Sequence, residues 1–298
     1  MRVFVTGGQG FVGTWLQAHL REAGDDVDVA GPGLDIADAE GLRRALVDAA
    51  PDAVYHLAAF THVGQSWDDP REVFRVNAEG TLNLLEAVRG CPSPPRVLLT
   101  SSAEVYGAVK PEHLPLTERS PLLPVSPYAA SKVAAEFLGV QAHLGHGLPV
   151  IRARAFNHVG PGQAPAFAVS ALAKRIVEAE RVGGKHLSVG NLRPRRDFTD
   201  VRDVVRAYRL LILGGEAGGV YNVCSGDDVA IEEVAHRLLA IAGSDLELLV
   251  DPALERPADV PVLRGDSTLL RSATGWRPEI PLDATLRAVV DHWRAARG

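Results

Sequence analysis

The chain has 298 residues, 46% hydrophobic and 23% charged, a composition that favours an ordinary globular protein over a disordered or fibrous one. Its net charge of −6 leaves no broad basic surface for nucleic acid. No apolar run approaches the roughly 20 residues that cross a bilayer, and Met1 leads straight into a strand-like run rather than a secretory leader. We therefore expect a cytoplasmic protein with no nucleic-acid partner and no membrane association.

The cysteine and histidine content predicts no metal site. Cys91 and Cys224 are the two cysteines, they lie far apart, and they lack the spacing of metal ligands or of a disulfide framework. The ten histidines have no metal-ligand spacing either.

Short β-branched runs alternate with longer amphipathic segments through the first half of the chain. The pattern predicts strands over 2–6, 26–30, 53–57, 96–101 and 149–155. Helices are predicted between them, over 14–23, 38–49, 72–89 and 128–143. Consecutive strand and helix units build a doubly wound parallel sheet with helices on both faces, which is the α/β Rossmann architecture.

Beyond Asn157 the alternation loosens, and proline and glycine become frequent. We predict further helices over 168–179, 201–213, 231–242 and 282–294, and one strand over 220–223. The resulting division has a dinucleotide-binding domain at 1–156, to which 199–223 returns, and a smaller C-terminal substrate-binding lobe made of 157–198 and 224–298.

Three glycines follow the first predicted strand and lead into the first helix. Gly7 permits a tight turn, Gly10 lets the backbone approach a pyrophosphate, and Gly13 permits close packing of the helix. The free N–H groups at the start of a helix attract phosphates. At this position the segment predicts a dinucleotide site, although a glycine turn with no ligand has the same sequence.

Sites that hold NAD usually carry an acidic residue after the second strand, which binds the ribose hydroxyls. Here that strand runs into a segment without a carboxylate, 29–33, and Asp28 lies within the strand. A 2′-phosphate would meet no repulsion there. No arginine is adjacent to attract it, and Arg43 and Arg44 are the candidates to reach it. We therefore favour NADP(H), with NAD(H) as the alternative.

Tyr128 and Lys132 are four residues apart and hence on one face of a helix. A nearby cation favours the phenolate and brings the pKa of a tyrosine closer to the working pH. Ser102 ends a predicted strand at the carboxyl edge of the sheet, where α/β proteins bind ligands. Each feature also has a purely structural interpretation, as a chance pair on a helix or a hydroxyl in a turn.

Taken together, these motifs resemble the extended short-chain dehydrogenases/reductases that modify nucleotide sugars. The resemblance covers nearly the whole chain and depends on 6–13, 35–36, 56–59, 77–81, 101–102, 128–132 and 190–203. Within the family, the segments 156–163, 190–203, 221–226 and 256–257 are most similar to reductases of a GDP-linked 4-keto-6-deoxymannose.

The resemblance implies a role for each matching residue. Ser102, Tyr128 and Lys132 would be catalytic, with Lys132 also touching the nicotinamide ribose. The cofactor would contact Gly7, Gly10, Phe11, Val12, Gly13, Asp35, Ile36, Leu57, Ala58, Ala59, Asn77, Tyr128 and Lys132. The nucleotide-diphosphate sugar would contact Glu104, Asn157, Lys174, Arg196 and Arg256. Two arginines suit a diphosphate because their planar donors pair with phosphate oxygens, although Lys174 is equally well explained as a surface charge.

The implied activity is reduction of the C4 ketone of a nucleotide-diphosphate 4-keto-6-deoxyhexose, with GDP-4-keto-6-deoxy-D-mannose and GDP-D-rhamnose as the favoured substrate and product. A 4,6-dehydratase would need an acid and a base beside the hydroxyl residue, and Ala103 supplies neither, whereas Glu104 leaves that alternative open. A 4-epimerase shares the Ser-Tyr-Lys set. A dinucleotide sensor without activity is the non-enzymatic alternative, which the intact Ser102, Tyr128 and Lys132 disfavour.

The resemblance also implies a homodimer formed through the helices predicted at 72–89 and 128–143. The sequence does not distinguish GDP from other nucleotides, because no residue outside the resemblance identifies the base.

Overall fold

The computed structural model describes residues 1–31, 33–251 and 260–296. Its first half contains, in order, β1 (Arg2–Thr6), α1 (Phe11–Glu22), β2 (Asp26–Val29), α2 (Ala39–Ala49), β3 (Ala53–His56), α3 (Pro70–Phe74), α4 (Gly80–Arg89), β4 (Arg96–Ser102), α5 (Pro127–His146) and β5 (Val150–Ala155). Its second half contains β6 (Asn157–Val159), α6 (Ala168–Arg181), β7 (His186–Val189), β8 (Arg195–Asp200), α7 (Val201–Gly214), β9 (Val220–Val223), β10 (Asp228–Ala230), α8 (Ile231–Ala242), β11 (Glu247–Val250), β12 (Val262–Leu263), α9 (Thr268–Thr274) and α10 (Leu282–Ala295).

Six parallel strands form the central sheet in the order β2-β1-β3-β4-β5-β9. The order reverses at β1, which lies between β2 and β3, and such a reversal opens a crevice at the carboxyl ends of the strands. The predicted Rossmann fold is confirmed. Gly7, Ser102 and Asn157 all follow carboxyl ends of these strands, so the topology brings them to one edge.

Apolar side chains cover both faces of this sheet. On one face, Leu16 and Leu20 of α1 pack with Tyr208 and Leu211 of α7 in one continuous core. On the other, α2 and α4 contribute a second core, which includes Leu42. Every residue of β3 is buried, as expected for a central parallel strand that lies between two helical layers.

The second half of the chain adds a group of short strands around β8, which pairs with β6, β10 and β12, and a separate pair, β7 with β11. Helices α6, α8 and α10 share a third apolar core. Asp197 of β8 is buried and accepts hydrogen bonds from Ser225 N (2.8 Å), Ser225 Oγ (2.6 Å) and Gly226 N (2.9 Å). This carboxylate ties β8 to the segment that follows β9.

The structure departs from the predicted elements at two kinds of place. The sequence predicts one helix over 72–89, but the structure has α3, a π-helical turn at Arg75–Glu79, and then α4. Strands β6, β7, β8, β10, β11 and β12 and helix α9 are not predicted. β6, β10 and β12 have only two or three residues, and β8 has six residues of which four are charged, so none of these four gives a readable apolar alternation. The division into a dinucleotide-binding domain and a substrate lobe stays a prediction.

None of the helices in the described parts of the chain is both long enough and apolar enough to pass through a membrane.

Candidate active site

A cleft of about 1400 Å³ lies along the carboxyl edge of the central sheet and extends to α6 and β8. Residues predicted from the sequence to be functional make up much of its lining: Gly7, Gly10, Phe11, Val12, Gly13, Leu57, Ala58, Ala59, Ser102, Glu104, Tyr128, Asn157 and Arg196. The fold therefore gathers distant segments of the chain around one space.

The glycine segment closes one end of the cleft. Gly7 has a φ of +69°, and a Cβ there would lie 2.6 Å from the backbone nitrogen of Ala58. A Cβ on Gly13 would lie 2.4 Å from the carbonyl oxygen of Gly7. Gly10 caps the N-terminus of α1, and a Cβ there would meet only the Gly7 carbonyl oxygen, at 3.3 Å. The first and third glycines thus permit close packing, while the second lies beside open space and the free N–H groups of α1, an arrangement that fits a pyrophosphate.

The buried His56 orients the loop after β3, whose residue Ala58 lies against Gly7 of the glycine segment. Burial lowers the pKa of His56 to about 3, so its ring is neutral. The Thr81 hydroxyl donates to the carbonyl oxygen of Asn77 (2.6 Å), and it therefore accepts from His56 Nε2 (3.2 Å). His56 Nδ1 must then accept the Thr6 hydroxyl proton (2.8 Å), while Thr6 Oγ1 accepts from Ala58 N (3.3 Å).

Ser102 and Tyr128 meet at the centre of the cleft. Ser102 ends β4, and Tyr128 lies in the first turn of α5, which Ser126 caps by accepting from Ala129 N (3.1 Å). Burial raises the pKa of Tyr128 to about 12, the hydrogen bond with Ser102 opposes that rise, and the negative charge of Glu104 adds to it. The phenol therefore keeps its proton at neutral pH and is available as a proton donor.

Lys132 lies one helical turn beyond Tyr128, as predicted. Its Nζ donates to the carbonyl oxygen of Thr100 (3.0 Å), and burial lowers its pKa to about 8. The net pKa of Tyr128 is raised rather than lowered, contrary to the prediction, because removal of the phenol from water outweighs the other influences.

Four of the residues predicted to contact a cofactor do not line this cleft. Asp35 accepts from Ala37 N (2.9 Å) and from Arg75 Nη1 (2.9 Å), and Ile36 packs under Gly80 of α4. Asn77 accepts from Phe60 N (2.7 Å) and donates to Ser131 Oγ (2.8 Å), so it braces the loop after β3. Lys132 is the fourth and lies beneath Tyr128. Their roles toward a cofactor remain predictions.

Lys174 is assigned to the substrate by the sequence, but the structure directs it elsewhere. Its Nζ lies 2.9 Å from Glu178 Oε1 and over the ring of Trp293, whereas the next residue, Arg175, lines the cleft. Successive residues of a helix point about 100° apart, and here Arg175 faces the cleft while Lys174 faces Trp293 of α10. Arg256 is also predicted to contact the substrate, and it lies outside the described residues.

Sequence reasoning also missed cleft residues that belong to no short motif: His62, Trp67 and Arg175. The helical period of α6 could have identified Arg175. Ala168, Leu172 and Arg175 lie on one face of the helix, and all three line the cleft.

The Rossmann sheet, the glycine segment and the Ser102-Tyr128-Lys132 set together define an enzyme of the extended short-chain dehydrogenase/reductase class. A family model described as GDP-mannose 4,6 dehydratase matches residues 33–289. The chain belongs to this family.

Three matches cover almost the full length of the chain. GDP-6-deoxy-D-mannose reductase of Pseudomonas aeruginosa is 40% identical over 99% of this chain and 97% of its own. The structure of RMD from Pseudomonas aeruginosa complexed with NADPH has a TM-score of 0.91 at 40% identity and covers 99% of each chain. UDP-glucose 4-epimerase of Thermus thermophilus, in complex with NAD, has a TM-score of 0.89 at 32% identity over all of both chains.

The burial of Lys132 has a consequence for stability that pH can reveal. Its pKa is about 8 when folded and 10.5 as the ordinary value, so between these pH values the unfolded chain binds the extra proton. The free energy of unfolding of the wild-type protein, taken relative to that of Lys132→Met, should therefore rise by roughly 2 to 3 kcal/mol from pH 7 to pH 10. Urea unfolding of both proteins at the two pH values measures this difference, and Lys110→Met, at an exposed position, is the control. An equal difference at both pH values would contradict the prediction.

Proposed function

We propose that this enzyme reduces the C4 ketone of a nucleotide-diphosphate 4-keto-6-deoxyhexose, most specifically GDP-4-keto-6-deoxy-D-mannose to GDP-D-rhamnose, with NADPH. The observation that carries the proposal is the buried Tyr128 phenol, which lines the cleft together with Ser102. Reduction of a ketone needs a proton donor for the new alkoxide, and this pair supplies one. The Pseudomonas aeruginosa relative, GDP-6-deoxy-D-mannose reductase, supports the choice of substrate.

When bound, the reduced nicotinamide supplies the hydride. The chain's own groups act on the oxygen. Ser102 donates a hydrogen bond to the ketone oxygen and polarises it, and Tyr128 transfers its phenolic proton to that oxygen as negative charge develops. The Lys132 ammonium, one turn away, stabilises the phenolate left behind.

A dehydration needs a second proton-transferring group next to the hydroxyl residue, and the cleft offers only half of that arrangement. Ala103 is buried and does not line the cleft, whereas Glu104 does. A single carboxylate beside Ser102 favours reduction over elimination. Glu104 is instead placed to accept hydrogen bonds from the sugar.

The segment after β2 supports NADPH over NADH. No carboxylate follows that strand up to Leu34, and the next acid, Asp35, is paired with Arg75, whose Nη1 lies 2.9 Å from it. An acid engaged in this way repels a ribose 2′-phosphate less than a free carboxylate would. A homologue of known structure was solved with NADPH, which agrees with this preference.

Absorbance of the reduced nicotinamide tests the reaction directly. The protein with NADPH and GDP-4-keto-6-deoxymannose should consume the two in equal amounts, and NADH should be the poorer donor. Tyr128→Phe should lower kcat about 10²- to 10⁴-fold, because the proton donor is lost while the ring remains. Turnover of GDP-mannose without added NADPH would indicate a dehydratase instead, and cofactor binding with no turnover of any nucleotide sugar would indicate a sensor.

We also assign the substrate's diphosphate to Arg175 together with Arg196, in place of Lys174. Arg175 makes no hydrogen bond or ion pair with another described residue, although it lines the cleft. The acids of the cleft, Asp68 and Glu104, come from the loop after β3 and the turn after β4, whereas both arginines come from α6 and β8. The cleft is therefore cationic toward the lobe and acidic toward Tyr128, which orients a diphosphate sugar with its hexose at Tyr128.

Adjacent residues of α6 provide a matched test of this assignment. Arg175→Met should weaken GDP binding about 10- to 100-fold, because a charged hydrogen bond to phosphate is lost. Lys174→Met should leave GDP binding within about twofold, as expected of a surface ion pair. Calorimetric titration with GDP and with guanosine distinguishes contacts to the diphosphate from contacts to the base. Guanosine binding should be the same in Arg175→Met as in the wild-type protein. Equal losses for both ligands in Arg175→Met would contradict the diphosphate assignment.

We propose a cytoplasmic homodimer that associates through α3, α4 and α5. Phe74, Leu82 and Phe137 are 40%, 40% and 56% exposed on these helices, which pack against one another. Exposed aromatic side chains of this kind are typical of an interface.

Sedimentation velocity tests the interface. The wild-type protein should sediment as a dimer, and Phe137→Glu should shift it to the monomer, because a buried unpaired charge opposes association. Leu213→Glu, at an exposed position of α7, is the control and should remain dimeric. A wild-type protein that is monomeric at micromolar concentration contradicts the proposal.

A further inference from the structure

A third residue of α5 shares the face that carries Tyr128 and Lys132. Glu136 follows them at the same interval of four, about 12 Å along the helix axis from Tyr128. Its side chain has no exposed surface, and it does not line the cleft, so it is outside the reach of a substrate. A fully buried carboxylate is unfavourable unless its surroundings satisfy it.

Glu136 is satisfied by two strands of the central sheet. Ser101 Oγ donates to its Oε2 (2.7 Å), Arg154 Nη2 donates to its Oε1 (2.6 Å), and Arg154 Nε lies 3.1 Å from Oε2. In the parallel pairing of β4 with β5, Ser101 lies opposite Arg154 and Ser102 opposite Ala155. The carboxylate therefore joins the helix that carries Tyr128 to the strand position immediately before Ser102.

The far side of Arg154 extends this network toward Glu104. Arg154 Nη1 donates to the Tyr106 hydroxyl (3.0 Å), and that hydroxyl donates to Asn222 Oδ1 on β9 (2.6 Å). Tyr106 is the last residue of the short turn that begins at Ala103 and includes Glu104. One ion pair thus contacts the supports of Ser102, of Tyr128 and of Glu104.

We propose that Glu136 and Arg154 are positioning residues that set the separation of the Ser102 hydroxyl from the Tyr128 phenol. Apolar side chains of similar volume would hold α5 on the sheet equally well or better, since a buried ion pair often adds no net stability. A two-pronged guanidinium-carboxylate contact fixes distance and direction as well. The inference rests on the proposed function only in taking Ser102 and Tyr128 as the reacting pair.

The double variant Glu136→Met/Arg154→Met removes both charges of this pair together. Arg152, whose Nη1 also lies 3.5 Å from Glu136 Oε1, keeps its hydrogen bond to the carbonyl oxygen of Gly218 (2.6 Å). We expect it to fold, to bind NADPH with an unchanged Kd and to keep KM for the keto sugar within about threefold. Its kcat should fall roughly 30- to 100-fold, because a misplacement near 1 Å at the reacting atoms has an effect of this size. The solvent isotope effect on kcat should rise, because proton transfer from Tyr128 becomes slower relative to other steps. Glu136→Gln, which keeps an acceptor for Ser101, should recover part of the loss.

A second ion pair of this chain, with a buried carboxylate and a half-buried guanidinium, serves as the control. Asp25 Oδ2 lies 2.8 Å from Arg209 Nε on α7, on the opposite side of the sheet from α5 and away from the cleft lining. Asp25→Asn/Arg209→Met should leave kcat and its isotope effect unchanged even if the melting temperature falls. A similar fall of kcat in both double variants would make the Glu136–Arg154 pair merely structural and overturn the proposal.

A structural readout separates this inference from the choice of reaction. Crystals of the double variant should have a longer distance between Ser102 Oγ and Tyr128 Oη than wild-type crystals, whichever nucleotide sugar the enzyme converts. If the wild-type protein dehydrates or epimerises instead of reducing, the kinetic comparison is made with that substrate. An unchanged distance, or an unchanged kcat in the folded double variant, would overturn the positioning role.

Discussion

The contact between the Glu136 carboxylate and the Arg154 guanidinium is the constraint on which the geometry of the site depends. It lies at the junction of β4, β5 and α5, and each of these elements carries or supports a reacting group. Apolar packing is non-directional, so by itself it leaves a helix some freedom of position on a sheet. A charged pair with defined donors removes that freedom where the hydroxyl groups must meet.

The same logic recurs in the rest of the cleft wall. Neutral His56 links Thr6 at the end of β1 to Thr81 in α4, and Asn77 holds the loop after β3 by accepting from Phe60 N. In each case a buried polar side chain with a complete set of partners fixes a loop at the carboxyl edge of the sheet.

The fold and the centre of the site could be predicted from the sequence because their signals are local. The glycine segment follows β1 directly, and Tyr128 and Lys132 lie one turn apart on one helix. What could not be predicted depends on tertiary contacts. Whether Lys174 or Arg175 faces the cleft depends on how α6 is rotated against α8 and α10, which the sequence specifies only through its apolar stripe. The pKa of Tyr128 rises because of the depth at which α5 is buried, and no residue spacing encodes depth.

The position of β9 at the edge of the sheet limits when the sheet can be completed during synthesis and how segments of the chain can be exchanged. Val220–Val223 pairs with β5, yet it is separated from β5 by the whole of β6 to α7. A chain that ended after β5 would leave that strand with an unpaired, hydrophobic flank, which is a template for aggregation. The part of the chain up to β5 therefore lacks one strand of the central sheet, and the sheet cannot be completed on the ribosome before most of the polypeptide has emerged. Recombination that exchanges substrate specificity in such a protein must replace loops and helix faces in place, because there is no seam at which two halves can be cut and rejoined.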